Sequence, residues 1–228
     1  MYKAKIFILI FCVPILSFSD GQDTLSLIDS DKVFNPKRAI SIVAVEIVGY
    51  TGTMIALNNL WYKDYPRSPY HWFNDNHQWL QMDKIGHAMT SYYIGSIGID
   101  ALRWTGLSER KSIIYGGMLG LYFLTSVEVF DGFSEEWGAS SGDLLAIFLG
   151  TGLLISQELL WKEQRFILKF SAHNSLYAQY RPNMLGELWN ERLLKDYNGQ
   201  TYWLSINLKS FGGKASYVPS WLNLAFGY

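Results

Sequence analysis

The sequence predicts a mainly α protein: a four-helix, membrane-type bundle followed by a small C-terminal region containing short β-strands. Three observations lead there. Four consecutive apolar segments each come close to the ~20 residues that cross a bilayer. Hydrophobic residues make up 49% of the 228 and charged residues only 17%, against about 25% charged in ordinary soluble domains. Beyond residue 165 the pattern changes to the period-two alternation of strands.

The elements follow in order. Residues 1–20 read as an export signal, with Lys3 and Lys5 ahead of an apolar run from Ile6 to Phe18 that is too short to span a bilayer. Cys12, the single cysteine, lies in that run, and Phe11 before it is too bulky for a lipoprotein cleavage box. Removal of the signal leaves no thiol and no disulfide. Residues 21–36 form a polar N-terminal segment. The bundle occupies 37–162, with helices expected over Lys37–Leu60, Asp83–Trp104, Ser108–Phe130 and Gly142–Trp161. The C-terminal region, 163–228, carries strand patterns at Arg165–Ala172, Gln200–Phe211 and Trp221–Tyr228, and a turn at Asn198-Gly199. The last pattern runs to the final residue, which reads as truncation of a longer protein or as a terminal edge strand, the former being favoured.

Small residues punctuate every helix: Gly49 and Gly52, Gly95 and Gly98, Gly116 and Gly120, Gly150 and Gly152. Glycine weakens a water-exposed helix by roughly 1 kcal/mol, whereas in membrane bundles it lets backbones approach closely. The mean hydropathy of +0.04 indicates a mixed protein, with apolar helices and wet, aromatic-rich connections. The net charge of −1 gives no bulk attraction for nucleic acid. Membrane lipid is the expected partner, and no feature identifies a protein partner.

Ionisable groups inside apolar helices need a reason. Asp83 and His87 are four apart on one helix face. Glu128 and Asp131 are three apart, and Asp143 opens the fourth helix. In an up-down bundle the start of helix two, the end of helix three and the start of helix four share one end, so these five converge. Aromatics crowd the same end. Trp72, His77 and Trp79 lie in the loop between helices one and two, and Trp137 in the loop between helices three and four, as at a membrane interface or ligand-stacking wall. The opposite end is basic, with Lys37, Arg38, Arg103, Arg110, Lys111, Lys162, Arg165 and Lys169. The positive-inside tendency would make that end cytoplasmic, which conflicts with a cleaved signal unless the protein resides at another membrane.

Asp83, His87, Glu128, Asp131 and Asp143 are of the types that hold a divalent metal, and His87, Glu128 and Asp131 suit acid-base chemistry. Trp72, His77, Trp79 and Trp137 are candidates to bind a ligand. No G-x-S-x-G, HEXXH or phosphate-binding glycine loop accompanies them. A structural reading competes: Asp83 as N-cap of helix two, Ser140 or Ser141 as N-cap of helix four with Asp143 in its first turn, and His87 in a polar network. Glu46, Asp100 and Glu158 are expected to pair with cations of the basic end.

The order Asp83-Lys84 with His87, Glu128 with Asp131, Gly132 and Trp137, and Ser141-Gly142-Asp143 with Gly150 resembles the DUF2279 family, the YfiM-type predicted periplasmic or envelope proteins. The Tyr177–Asn183 stretch and the strand around Trp203 look like its longer members. A weaker likeness extends to VanZ-like membrane proteins, which place a D-K-x-x-H before a later glutamate and aspartate. The resemblance implies a location in the envelope of a Gram-negative-type bacterium and an architecture, but no reaction. The reading is therefore a membrane-associated envelope protein with a structural or envelope-maintaining role. The alternative is a membrane-embedded enzyme or metal site acting on lipid or cell-wall precursors.

Overall fold

The computed structural model describes residues 33–63, 65–212 and 217–228. The expected export signal lies outside the described residues. Four long helices come first: α1 (Pro36–Leu57), α2 (Met82–Trp104), α3 (Glu109–Asp131) and α4 (Ser141–Trp161). Each begins or ends within a few residues of its expected position. Asn35 caps α1, its Oδ1 accepting from the amides of Lys37 and Arg38, and Pro36 sits in the first turn, where a missing N–H costs nothing. Ser140 caps α4 by accepting from the Asp143 amide. Asp83, in contrast, does not cap α2: the cap position is Gln81, in a left-handed conformation, and Asp83 lies in the first turn.

The helical part is not a simple four-helix membrane bundle. Two further short helices, α5 (Pro182–Leu185) and α6 (Trp189–Lys195), lie in the C-terminal region. Among the described residues, α1, α3 and α4 are long and apolar enough to cross a membrane. α2 is not one of them, because it carries Asp83, Lys84, His87, Asp100 and Arg103. It is the hub, packed against α3 and α4, with a core of Tyr92, Ile99, Ile113 and Leu154. Glycine sets how close the hub's neighbours come. A Cβ on Gly150 would strike the Ala88 carbonyl and the Ser91 hydroxyl, and one on Gly120 would strike Ser91 backbone. A Cβ on Gly49, Gly52 or Gly152 would meet nothing within 4 Å among the described residues, so those three are not packing points there.

β1 (Phe166–Ala172), β2 (Gln200–Asn207) and β3 (Asn223–Gly227) form an antiparallel sheet in the order β1-β2-β3. The expected second strand is shorter than its pattern, ending at Asn207 before a helical turn at Lys209–Phe211. The register aligns Leu168 with Leu204 and Leu204 with Phe226, so one face of the sheet is apolar. That face leans on α2: Leu168 packs at the edge of the core, and the Tyr93 hydroxyl donates to its carbonyl at 2.5 Å. Gln157 of α4 bonds β1 twice, accepting from the Phe166 amide and donating to its carbonyl. β3 is exposed along its length.

Candidate functional site

The site is built at the end of the helices where α1, α3 and the start of α2 and α4 meet two loops. Those loops, 63–81 and 132–140, hold each other by backbone pairing. Ser68 and His71 amides donate to Phe133 and Gly132 carbonyls, and Ala139 exchanges bonds with His71 and Phe73. The pairing carries Asp75 and Ser140 to the mouths of α2 and α4.

Lys84 is the centre. Its ammonium lies 2.5 Å from Asp75 and 3.1 Å from Asp143, and its side chain is 10% exposed. Ser140 does three things at once: its hydroxyl donates to Asp75 at 2.7 Å and accepts from the Asp143 amide, and its own amide donates to Glu128 at 3.0 Å. Glu128 and Asp143 are both buried, each 3% exposed. Two tyrosines close the flanks. Tyr62, in the turn after α1, donates to Asp131 at 2.6 Å, and Tyr197, just before β2, donates to Asp83 at 3.1 Å.

His87 is placed differently. Its Nε2 is 3.7 Å from Asp83 and 3.6 Å from Glu128, beyond ordinary hydrogen-bond length. Its Nδ1 is buried without a hydrogen-bond partner among the described residues. One ligand atom each from Asp83, His87 and Asp143 lies within 4.8 Å of the others. The expected convergence of the five residues is thus present, with Asp131 outside that trio and tied to Tyr62. Five carboxylates (Asp75, Asp83, Glu128, Asp131, Asp143) face one lysine and one histidine. In a partly buried site such an excess must be relieved by protons or by a cation.

The charges outside the helices follow their surroundings. Burial pushes the Asp75 carboxyl up, but the hydrogen bonds from Lys84 and Ser140 outweigh it and hold the group below the usual carboxylate range. Burial beside Asp83 drives Tyr197 far upward and Tyr202 up to about 12, so both remain neutral hydroxyls. Tyr62 is likewise held protonated by burial and by the Asp131 charge.

The aromatic candidates fare unequally. Trp79 stacks edge-on against Tyr197, and Trp137 against Tyr65. The Trp137 indole N–H is buried without an acceptor among the described residues. Trp72 is exposed, against Tyr70, and His77 is exposed with no bond to the cluster among the described residues. Trp79, Leu80 and Gln81 take three consecutive left-handed conformations, φ +50°, +49° and +63°, a strained way into α2 for residues with side chains. Tyr228 helps hold this turn by donating to the Leu80 carbonyl at 2.9 Å. Sequence reasoning missed Asp75, Tyr62 and Tyr197. Tyr197 is 114 residues from the Asp83 it touches, and no local pattern reports such a contact.

At the other end, Arg103 collects Asp100, Glu109 and Glu158, with Glu158 at 2.6 Å. Glu46, expected among these pairs, sits near the middle of α1 with no ion pair among the described residues, because that position is remote from the basic end.

No curated protein and no solved structure matches the chain. Residues 70–157, which contain Asp75, Asp83, Lys84, His87, Glu128, Asp131, Ser140 and Asp143, match the family model of DUF2279, described as a predicted periplasmic lipoprotein. The likeness covers less than half of the chain and is consistent with an envelope-associated protein of uncharacterised role.

Proposed function

We propose that the chain is a membrane-associated envelope protein with a structural role, in which the polar cluster fastens the aromatic loops and the C-terminal segment to the apolar helices. The observation that carries this is the origin of the cluster's bonds: they join the turn after α1, both loops, α2, α3, α4 and the segment before β2. Each partner is used to hold another element, as in a network that fixes packing.

Lipid contact is assigned to α1, α3 and α4. Val48, Tyr122, Phe148 and Leu149 are among the large apolar side chains exposed on them, and exposed apolar side chains in such number mark a membrane or protein contact. The β3 edge, with no further strand paired to it among the described residues, is excluded from hydrocarbon. The sheet flank therefore faces water or protein, and the membrane lies on the side of the three apolar helices. Extraction of the cell envelope with alkaline carbonate tests this. The chain is expected to stay in the membrane pellet, and its release as a peripheral protein would contradict the assignment.

The Asp83, His87 and Asp143 grouping favours a second reading, a divalent-cation site. Ligand atoms 3.6–3.7 Å from His87 Nε2 are too far to bond it but suit neighbours around one ion, with Glu128 as a further ligand. A bound cation would offset the carboxylate excess, and the residues would then orient it or a water on it. Metal analysis of the native protein beside His87→Ala decides between the readings. A stoichiometric divalent metal lost in the variant supports the site. An equal metal content in both, with only lowered stability in the variant, leaves the cluster structural.

A further inference from the structure

We propose that the basic end of the helices is a docking surface for the headgroups of anionic phospholipids, an inference that rests on the membrane contact argued above. The start of α1, the end of α2, the start of α3 and the end of α4 come together there. The Asn35 amide donates to the Thr105 carbonyl at 2.8 Å, and Arg103 reaches Glu158 at 2.6 Å. The acids of this end are already taken: Asp100, Glu109 and Glu158 by Arg103, and Glu163 by Arg165. Lys37, Arg38, Arg110, Lys111 and Lys162 are exposed and have no carboxylate partner among the described residues.

A solvated charged face would need nothing more, but here the cations stand beside tryptophans. The Arg38 guanidinium lies 4.8 Å over Trp104 and donates to the Trp104 carbonyl, and the Arg165 guanidinium lies 4.6 Å over Trp161. Both indoles are partly exposed, at the C-terminal ends of α2 and α4. Trp161 at the end of apolar α4 and Trp104 at the end of α2, with cations just beyond, reproduce the layering of an interface: hydrocarbon, amphipathic ring, phosphate. The phosphodiester of an anionic lipid supplies the charge that the five free cations lack. Stacking on indole holds Arg38 in place while its remaining N–H groups stay available to phosphate.

The test is to reconstitute the full chain in vesicles of phosphatidylcholine with a minority of phosphatidylglycerol. The protein is then excised with its surrounding lipid in polymer discs, and the lipid is quantified. The comparison is the combined variant Lys37→Gln, Arg110→Gln, Lys111→Gln and Lys162→Gln, all exposed positions. Discs of the wild-type chain are expected to be enriched in phosphatidylglycerol over the bulk by about fivefold per retained contact, with the enrichment lost in the variant. Wild-type enrichment should also fall at raised salt, a readout that does not depend on the variant folding. Absent enrichment, or the same enrichment in the variant or at raised salt, overturns the proposal. Failure of the wild-type chain to enter vesicles of either lipid would instead overturn the membrane reading on which it rests.

Discussion

Lys84 shows how one residue decides the character of the site. Its ammonium is shared by Asp75 and Asp143, so it neutralises part of a carboxylate excess and draws a loop onto two helices. Replacing Asp75 with Asn leaves Lys84 with Asp143 and the more distant Asp83 and breaks the ion pair that ties the loop to α2. A loss of about 1–3 kcal/mol is expected, read as a lower thermal midpoint in detergent. The pH dependence has a definite sign. The folded carboxyl of Asp75 titrates below its usual range, so its stabilisation is complete above the unfolded value of about 4. It is lost as pH falls through the folded value. The gap between wild type and Asp75→Asn should therefore be full at neutral pH and shrink on acidification below about pH 4. A second residue tests the C-terminal fastening. Tyr197→Phe removes one hydroxyl that donates to Asp83. It should cost about 1 kcal/mol and speed amide exchange in β2, whereas an unchanged exchange pattern would mean that the tyrosine only fills space.

At the level of the elements, two glycines two residues apart on α4, and so on nearly opposite faces, separate packing from lipid contact. Gly150 abuts the Ala88 carbonyl, while Gly152 meets nothing within 4 Å. Gly150→Val forces the helices apart and should destabilise by about 1–3 kcal/mol or more. Gly152→Val should be near neutral, since a larger side chain there only adds to an open surface. Thermal unfolding of both variants checks the pair, and equal losses would contradict the crossing described. The helices themselves were legible in the sequence, since apolar length, Pro36 and Ser140 are local properties that mark their ends. What glycine does was only half legible: the same spacing occurs at Gly49 and Gly52, which face open space. Composition shows that close approach is permitted, and only the packing shows where it happens. The cap of α2 was misread because Gln81 enters it through a left-handed turn, a conformation that residue type does not announce.

On the scale of the whole molecule, the bundle's connectivity alone brings Asp83, His87, Glu128, Asp131 and Asp143 to one end, and the structure agrees. The further partners, Asp75 from the loop before α2 and Tyr197 from the C-terminal segment, were not legible, because the stretches that deliver them have no period from which a fold could be built. Nor did the sequence show that a sheet would occupy one flank of α2. That sheet changes the account, since it adds a strand edge, which hydrocarbon excludes, to a molecule with three apolar helices. The central claim is that those three helices face lipid. It is tested most directly by single cysteines in a Cys12→Ser background, labelled with a water-soluble maleimide in intact membranes. Val48→Cys, Tyr122→Cys and Leu149→Cys, all on exposed apolar positions, should stay unlabelled until detergent is added, while Glu135→Cys in the loop should label once the reagent reaches its compartment. Prompt labelling of the three helix positions in that same compartment would contradict the account.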